Sequence, residues 1–175
     1  IPLDDGTVIY PEPILVGRSE PRLRAIAERH GLERWSTRLD EVLSDPAVPV
    51  YFDAQVTSAR EPSLAAAIAA GKHVYTEKPL TTSLPVAQEL VASAERLGLR
   101  IGCAPDTFLS SAYEAARDLI KRGDIGEPLG ATARMLVGGP DNWHPNADFF
   151  YAAGGGPMLD LAPYGRQEDW EDSPE

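Results

Sequence analysis

The chain has 175 residues, 43% hydrophobic and 25% charged, with a formal net charge of −11. That composition supplies apolar material for one core and part of a second, and the acidic balance argues against a nucleic-acid partner, which needs a basic face. No apolar run approaches the ~20 residues of a spanning helix, and IPLDDGTVIY at the start lacks the basic and apolar regions of an export signal, so we expect a cytoplasmic chain with no membrane partner.

Ile14-Leu15-Val16 reads as a short buried strand, turned by Gly17-Arg18 into a helix from Glu20 to His30. Ser19 is its expected cap, Leu23, Ile26 and Ala27 its apolar stripe, and Gly31 its stop. A short helix follows over Leu39–Ser44, then a second strand over Pro49–Ala54. Pro62 is expected to open the next helix, which runs to Ala70 and ends at Gly71. His73-Val74-Tyr75 is a third strand, with Glu77-Lys78-Pro79 just beyond its carboxyl end. Ser83 caps a helix whose Val86, Leu90, Val91, Ala94 and Leu97 recur at helical spacing, and Arg100–Cys103 is a fourth strand. Ser110 or Ser111 then begins a helix with Ala112, Ala116, Leu119 and Ile120 inward and Gly123 as its stop.

Strands alternating with helices at this spacing predict βαβ units and a parallel sheet, an α/β fold of the doubly wound, Rossmann type. The sheet is expected to be incomplete, because no G-x-G-x-x-G follows any strand and the chain begins with Ile1. After the turn cluster at Gly123–Pro128 the pattern changes. Ala131–Val137 reads as extended, 138–156 as loop, and 154–164 as the entry to a helix. We therefore expect a partial Rossmann domain over 1–125 and the start of an α+β substrate domain over 126–175, a piece of a longer two-domain protein. The last ten residues, RQEDWEDSPE, hold five acids and one arginine and read as a solvated acidic tail.

Open α/β sheets place their chemistry in the crevice outside the carboxyl ends of the strands. Lys78, between a carboxylate and a proline at such an end, is positioned to protonate or hydrogen-bond a substrate oxygen. The single cysteine, Cys103, excludes an internal disulfide and reads as a buried small hydrophobe. His30 and His73 read as structural. No His, Cys and carboxylate grouping has metal-ligand spacing, and neither G-x-S-x-G nor a P-loop is present.

Four motifs in order, AAGKHVYTEKPL at 69–80, the Ser-capped helix after it, RGDIGEPLGATARM at 122–135 and GGGPMLDLAPY at 154–164, resemble the Gfo/Idh/MocA family. These are NAD(P)-dependent oxidoreductases related to glucose-fructose oxidoreductase and inositol dehydrogenase, and the similarity covers roughly residues 14–164. The resemblance implies a sugar, cyclitol or related polyol as substrate, hydride transfer to a nicotinamide, and homo-oligomers formed through the second domain. It places the lysine that contacts nicotinamide and substrate at Lys78 and the motif aspartate at Asp160. At the position where many members carry a histidine acid/base, this chain has Tyr164.

Asp160 and Tyr164, at i and i+4, share one helical face. A phenol with an unperturbed pKa of about 10 needs a nearby cation such as Lys78 to ionise near neutrality. Arg18 stands after the first strand, where an NAD site often has its acidic ribose-binding residue, and a cation there favours the 2′-phosphate of NADP; a solvated surface arginine is the equal alternative. Thr57 and Ser58 after the second strand, with Glu77, are candidates for the cofactor crevice, although hydroxyls there also suit helix capping. His144, within Trp143-His144-Pro145, is a candidate on the substrate side. Three functions compete: a sugar or polyol dehydrogenase, a non-catalytic NAD(P)-fold sensor, and a partial chain with weak or no activity alone.

Overall fold

The computed structural model describes residues 1–105, 110–132, 134, 136, 138–144, 147–152 and 155–160, with Phe149, Pro157 and Asp160 described as backbone. The chain divides into two compact units, Ile1–Pro49 and Val50–Glu175.

In the first unit, β1 (Ile14–Val16), α1 (Glu20–His30), β2 (Arg34–Ser36) and α2 (Leu39–Ser44) follow in order. β1 and β2 pair in parallel, Ile14 opposite Arg34 and Val16 opposite Ser36. Leu23 and Ala27 of α1 and Leu43 of α2 are the buried apolar residues. β2 has no counterpart among the expected strands: Arg34-Trp35-Ser36 carries one large apolar residue, too few for a period-2 pattern. Pairing along β1 makes it a strand, and Arg24 of α1 stacks over the Trp35 ring at 5.9 Å.

The second unit opens with β3 (Val50–Asp53), α3 (Thr57–Ala69), β4 (His73–Thr76), α4 (Leu84–Arg96) and β5 (Ile101–Cys103). The sheet is parallel in the order β3-β4-β5, so each neighbouring pair is joined by one helix. Tyr51, Asp53, Val74 and Thr76 share one face, and its core is completed by Leu64, Ala67 and Ile68 of α3 and Leu90 and Ala94 of α4. On the other face Phe52 stacks on Tyr75 at 5.7 Å. Tyr75 lies opposite Gly102, where an added Cβ would come within 2.9 Å of the Tyr75 ring, so that position admits only glycine without a shift.

Several expectations are corrected. α3 begins at Thr57, not Pro62, which lies inside the helix. A proline there cannot bond the Ser58 carbonyl; the first turn is instead held by Arg60, which is anchored to Asp53 and to the carbonyl of Gln55. Ser19, Ser83 and Ser110 occupy N-cap positions but make no side-chain cap bond; at α4 the hydroxyl of Thr81 instead accepts from the Ser83 amide at 3.1 Å.

α5 (Ser111–Lys121) forms as expected, yet no residue of it is buried and Leu119 is exposed. Its apolar stripe is open among the described residues. Of 131–137, residues 131, 132, 134 and 136 lie outside any strand, and the others fall outside the described residues. The expected 138–156 loop contains a 3-10 turn at Pro140–Asn142 and α6 (Asp148–Tyr151), and α7 (Pro157–Asp160) opens the helix expected after Gly154. No helix among the described residues is long and apolar enough to cross a membrane.

Leu64 is wholly buried between α3 and the sheet. Leu64→Ala should lower the unfolding free energy of this unit by about 2–5 kcal/mol in a denaturant titration. A loss below about 1 kcal/mol would contradict its place in the core.

Candidate functional site

The site is assembled where β3 and β4 end side by side. Asp53, the last residue of β3, and Arg60, in the first turn of α3, form an ion pair of 2.8 Å with both side chains at 2% exposure or less. An isolated buried carboxylate is costly, and this one is surrounded by donors. Arg60 Nε donates to Asp53 Oδ2 at 2.8 Å, while the Tyr51 hydroxyl at 3.1 Å and Gln55 Nε2 at 2.9 Å donate to Oδ1. The Thr76 hydroxyl lies 3.3 Å from Asp53 Oδ2 and 3.1 Å from the Glu77 carbonyl, and its one proton serves either acceptor. No buried side-chain nitrogen or oxygen among the described residues lacks a partner. Burial, with the Asp53 charge adding to it, pushes the Tyr51 phenol above its ordinary pKa.

The pair also organises the turns around it. Arg60 Nη2 donates to the Gln55 carbonyl at 2.7 Å, and Nη1 donates to the carbonyl of Pro79. The Glu77 amide donates to the Asp53 carbonyl at 3.0 Å. Farther along, the Thr81 hydroxyl donates to Glu61 of α3. The segment after β3 and the Glu77-Lys78-Pro79 turn after β4, whose Lys78–Pro79 bond is cis, are thus held together from below.

Between them opens a cavity of about 240 Å³. It is lined by residues 54–57, Arg60 and Glu77-Lys78-Pro79, together with Phe150, Gly155 and Leu159 from the later part of the chain. Its size is close to the lower end of small-molecule pockets, about 300 Å³, and suits one ring of a larger ligand. A larger, shallow groove of about 490 Å³ lies on the first unit beside the Arg34–Asp45 ion pair of 3.1 Å. Its lining does not include the candidate lysine, which lines the smaller cavity, so we place the site there.

Of the residues singled out in the sequence, Lys78, Glu77 and Thr57 line the cavity. Lys78 is half-buried, Glu77 exposed and Thr57 buried. Ser58 is exposed and is not among the residues that line it. The backbone of Asp160 follows Leu159 at the cavity, while Tyr164 lies outside the described residues. His144 does not line the cavity; its ring packs edge-on against Phe150 at 4.8 Å, and Trp143 meets the same Phe150 at 5.7 Å. Arg18 belongs to the first unit and is exposed directly after β1. Among the described residues no group of three or more His, Cys, Asp and Glu could hold a metal ion.

Asp53 and Arg60 were not singled out from sequence. Their signal was an aspartate closing the apolar run PVYFD, followed by an arginine seven residues later. With Pro62 read as the helix start, that arginine falls in a loop. Cys103 is half-buried rather than fully buried, its thiol 3.2 Å from the Ala104 carbonyl and 3.8 Å from that of Glu77. Burial pushes its pKa up, against a lowering effect of Arg60. Because the thiolate is the nucleophile, Cys103 should react with iodoacetamide near neutral pH more slowly than a free thiol, with its apparent pKa above the ordinary value. Alkylation as fast as that of a free thiol across the pH range would contradict that burial.

Comparison with known proteins bears on the same residues. The model of the oxidoreductase family with an NAD-binding Rossmann fold, Gfo/Idh/MocA, matches residues 14–104. The D-xylose dehydrogenase of Paenarthrobacter nicotinovorans is 42% identical over 127 residues, which cover 73% of this chain and 33% of that protein. The 1,5-anhydro-D-fructose reductase of Ensifer adhaerens is 32% identical over 150 residues, covering 84% of this chain and 44% of that one. Among solved structures, an NAD binding oxidoreductase from Klebsiella pneumoniae superposes with a TM-score of 0.62 at 35% identity, over 66% of this chain and 30% of its own. GenD2 from gentamicin A biosynthesis, solved in complex with NAD, gives 0.58 at 32% identity, over 62% and 31%. The chain spans between a third and a little under half of the curated relatives it matches. With its parallel βαβ units, its Glu-Lys-Pro turn at the sheet's carboxyl edge and a family match over more than half its length, the chain belongs to the Gfo/Idh/MocA oxidoreductases, with their NAD-binding Rossmann fold.

Proposed function

We propose that the chain carries the cofactor side and the first part of the substrate side of an NAD(P)-dependent oxidoreductase of a sugar, cyclitol or related polyol. Residues 1–125 serve the cofactor and the part from 126 onward the substrate. The observation that carries this reading is Lys78 in a cavity at the carboxyl ends of two adjacent parallel strands, lined also by Phe150, Gly155 and Leu159. The likeness to a D-xylose dehydrogenase supports a sugar as substrate.

The cavity's donors suit one end of a nicotinamide dinucleotide: a lysine ammonium, a threonine hydroxyl and the amino end of α3, whose first amides have no intrahelical acceptor. Glu77, Lys78 and Thr57 are the residues we assign to holding it, with Ser58 at the rim and Arg18 on the 2′-phosphate of NADP. When bound, that cofactor supplies the hydride acceptor or donor.

The chain's own part is to bind, orient and handle a proton. Lys78 donates a hydrogen bond to the reacting oxygen of the substrate and stabilises the negative charge that develops there. Asp160 and Tyr164 are assigned to the proton, Tyr164 taking it only when a cation lowers its pKa. His144 acts on the substrate side through its packing on Phe150, which lines the cavity.

Turnover of D-xylose and scyllo-inositol with NADP⁺ and NAD⁺, followed by absorbance of the reduced nicotinamide, tests the reading. Lys78→Ala should lower kcat by about 10²–10⁴-fold. Cofactor binding without turnover of any polyol, unchanged in Lys78→Ala, would favour a sensor over an enzyme. For the cofactor, Arg18→Ala should weaken NADPH binding by about tenfold or more and leave NADH unchanged, as expected for a lost charge-assisted hydrogen bond. Equal effects on both cofactors would remove Arg18 from the 2′-phosphate.

A further inference from the structure

We infer that Arg60 is a positioning residue for Lys78: its one planar guanidinium, bonded at once to Asp53, Gln55 and Pro79, fixes the lysine in the cavity. The inference rests on the role proposed for Lys78 above. Arg60 is 2% exposed and is one of the residues that line the cavity. Its Nε is held by Asp53 at 2.8 Å, its Nη2 by the Gln55 carbonyl at 2.7 Å, and its Nη1 by the Pro79 carbonyl.

The chain on both sides of Lys78 is tied to this pair. Pro79 is bonded to Arg60 itself, and the Glu77 amide is bonded to the Asp53 carbonyl at 3.0 Å. Gln55, in the turn after β3, is bonded to both members, its carbonyl to Arg60 and its side-chain amide to Asp53. A single rigid fork therefore sets the separation of the two turns that flank the cavity. Lysine could not replace it, since an ammonium is a point charge on a flexible stem and lacks the planar set of donors. A reacting lysine displaced by about 1 Å costs on the order of 10²-fold in rate, so a buried arginine that acts through the lysine governs turnover.

Arg60→Lys separates positioning from mere charge balance, because it keeps a cation for Asp53 and loses the fork. Hydrogen exchange read by mass spectrometry on the full chain gives a readout independent of activity. In Arg60→Lys, exchange across residues 77–81 should accelerate by at least about tenfold, the effect of losing a charged hydrogen bond, while residues 64–69 of α3 stay protected. With D-xylose and NADP⁺, kcat should fall by about tenfold or more with KM little changed, and Lys78→Ala should abolish that dependence on residue 60. Should Arg60→Lys fail to fold, Asp53→Asn, which preserves shape and weakens the pair, should show the same loosening of 77–81. Unchanged exchange at 77–81 in whichever variant folds would overturn the inference, as would equal effects of Arg60→Lys with and without Lys78. If the wild-type chain turns over no substrate, the proposed activity falls, and the exchange data still decide whether Arg60 fixes the turn.

Discussion

A carboxylate with no exposed surface closes β3, and an arginine in the first turn of α3 neutralises it at 2.8 Å. Removing one partner from such a pair typically costs about 3–5 kcal/mol, because the remaining charge is stranded in a low-dielectric interior. The strand end, the start of α3 and the turn after β4 are consequently held in one arrangement. Replacing both charges with apolar groups of like shape need not destabilise the core. It would, however, remove the guanidinium that the Gln55 and Pro79 carbonyls accept from. The pair's specific contribution is geometry at the cavity rather than net stability.

The cavity follows from that arrangement. Parallel strands expose their carboxyl ends on one edge, and βαβ connections deliver a turn and a helix start at each end. Here β3 supplies 54–57 and the amino end of α3, while β4 supplies Glu77-Lys78-Pro79. Phe150, Gly155 and Leu159 add aromatic and aliphatic surface to the same lining. Trp143 and His144 pack edge-on against Phe150 and do not themselves line the cavity.

The alternation of strand and helix was legible in sequence because apolar runs and glycine stops mark it directly. β1, α1, α2, β3, β4, α4, β5 and α5 all form within a few residues of where they were expected. Glu77-Lys78-Pro79 was legible as a site for the same reason, since it stands after a recognisable strand. β2 was not, because three residues with one tryptophan acquire strand geometry only from pairing with β1. Pro62 misled the start of α3: local propensity put the first turn there, and the tertiary bonds of Arg60 moved it to Thr57. That same error concealed Arg60, which reads as a loop cation until its helix is known to begin three residues earlier. The apolar stripe of α5 shows the converse, a helical pattern clear in sequence whose burial the pattern alone did not determine.

We propose that the cofactor sits at the joined ends of β3 and β4, on the cavity that the Asp53–Arg60 pair shapes. Titration of ¹⁵N-labelled chain with NADPH, followed by amide chemical shifts, tests it most directly. The account predicts that the largest changes fall on residues 54–57 and on Glu77 and Lys78, saturating together with a single affinity. Changes confined to the groove beside Arg34 and Asp45, or none up to millimolar cofactor, the weak end of specific binding at about −4 kcal/mol, would contradict it.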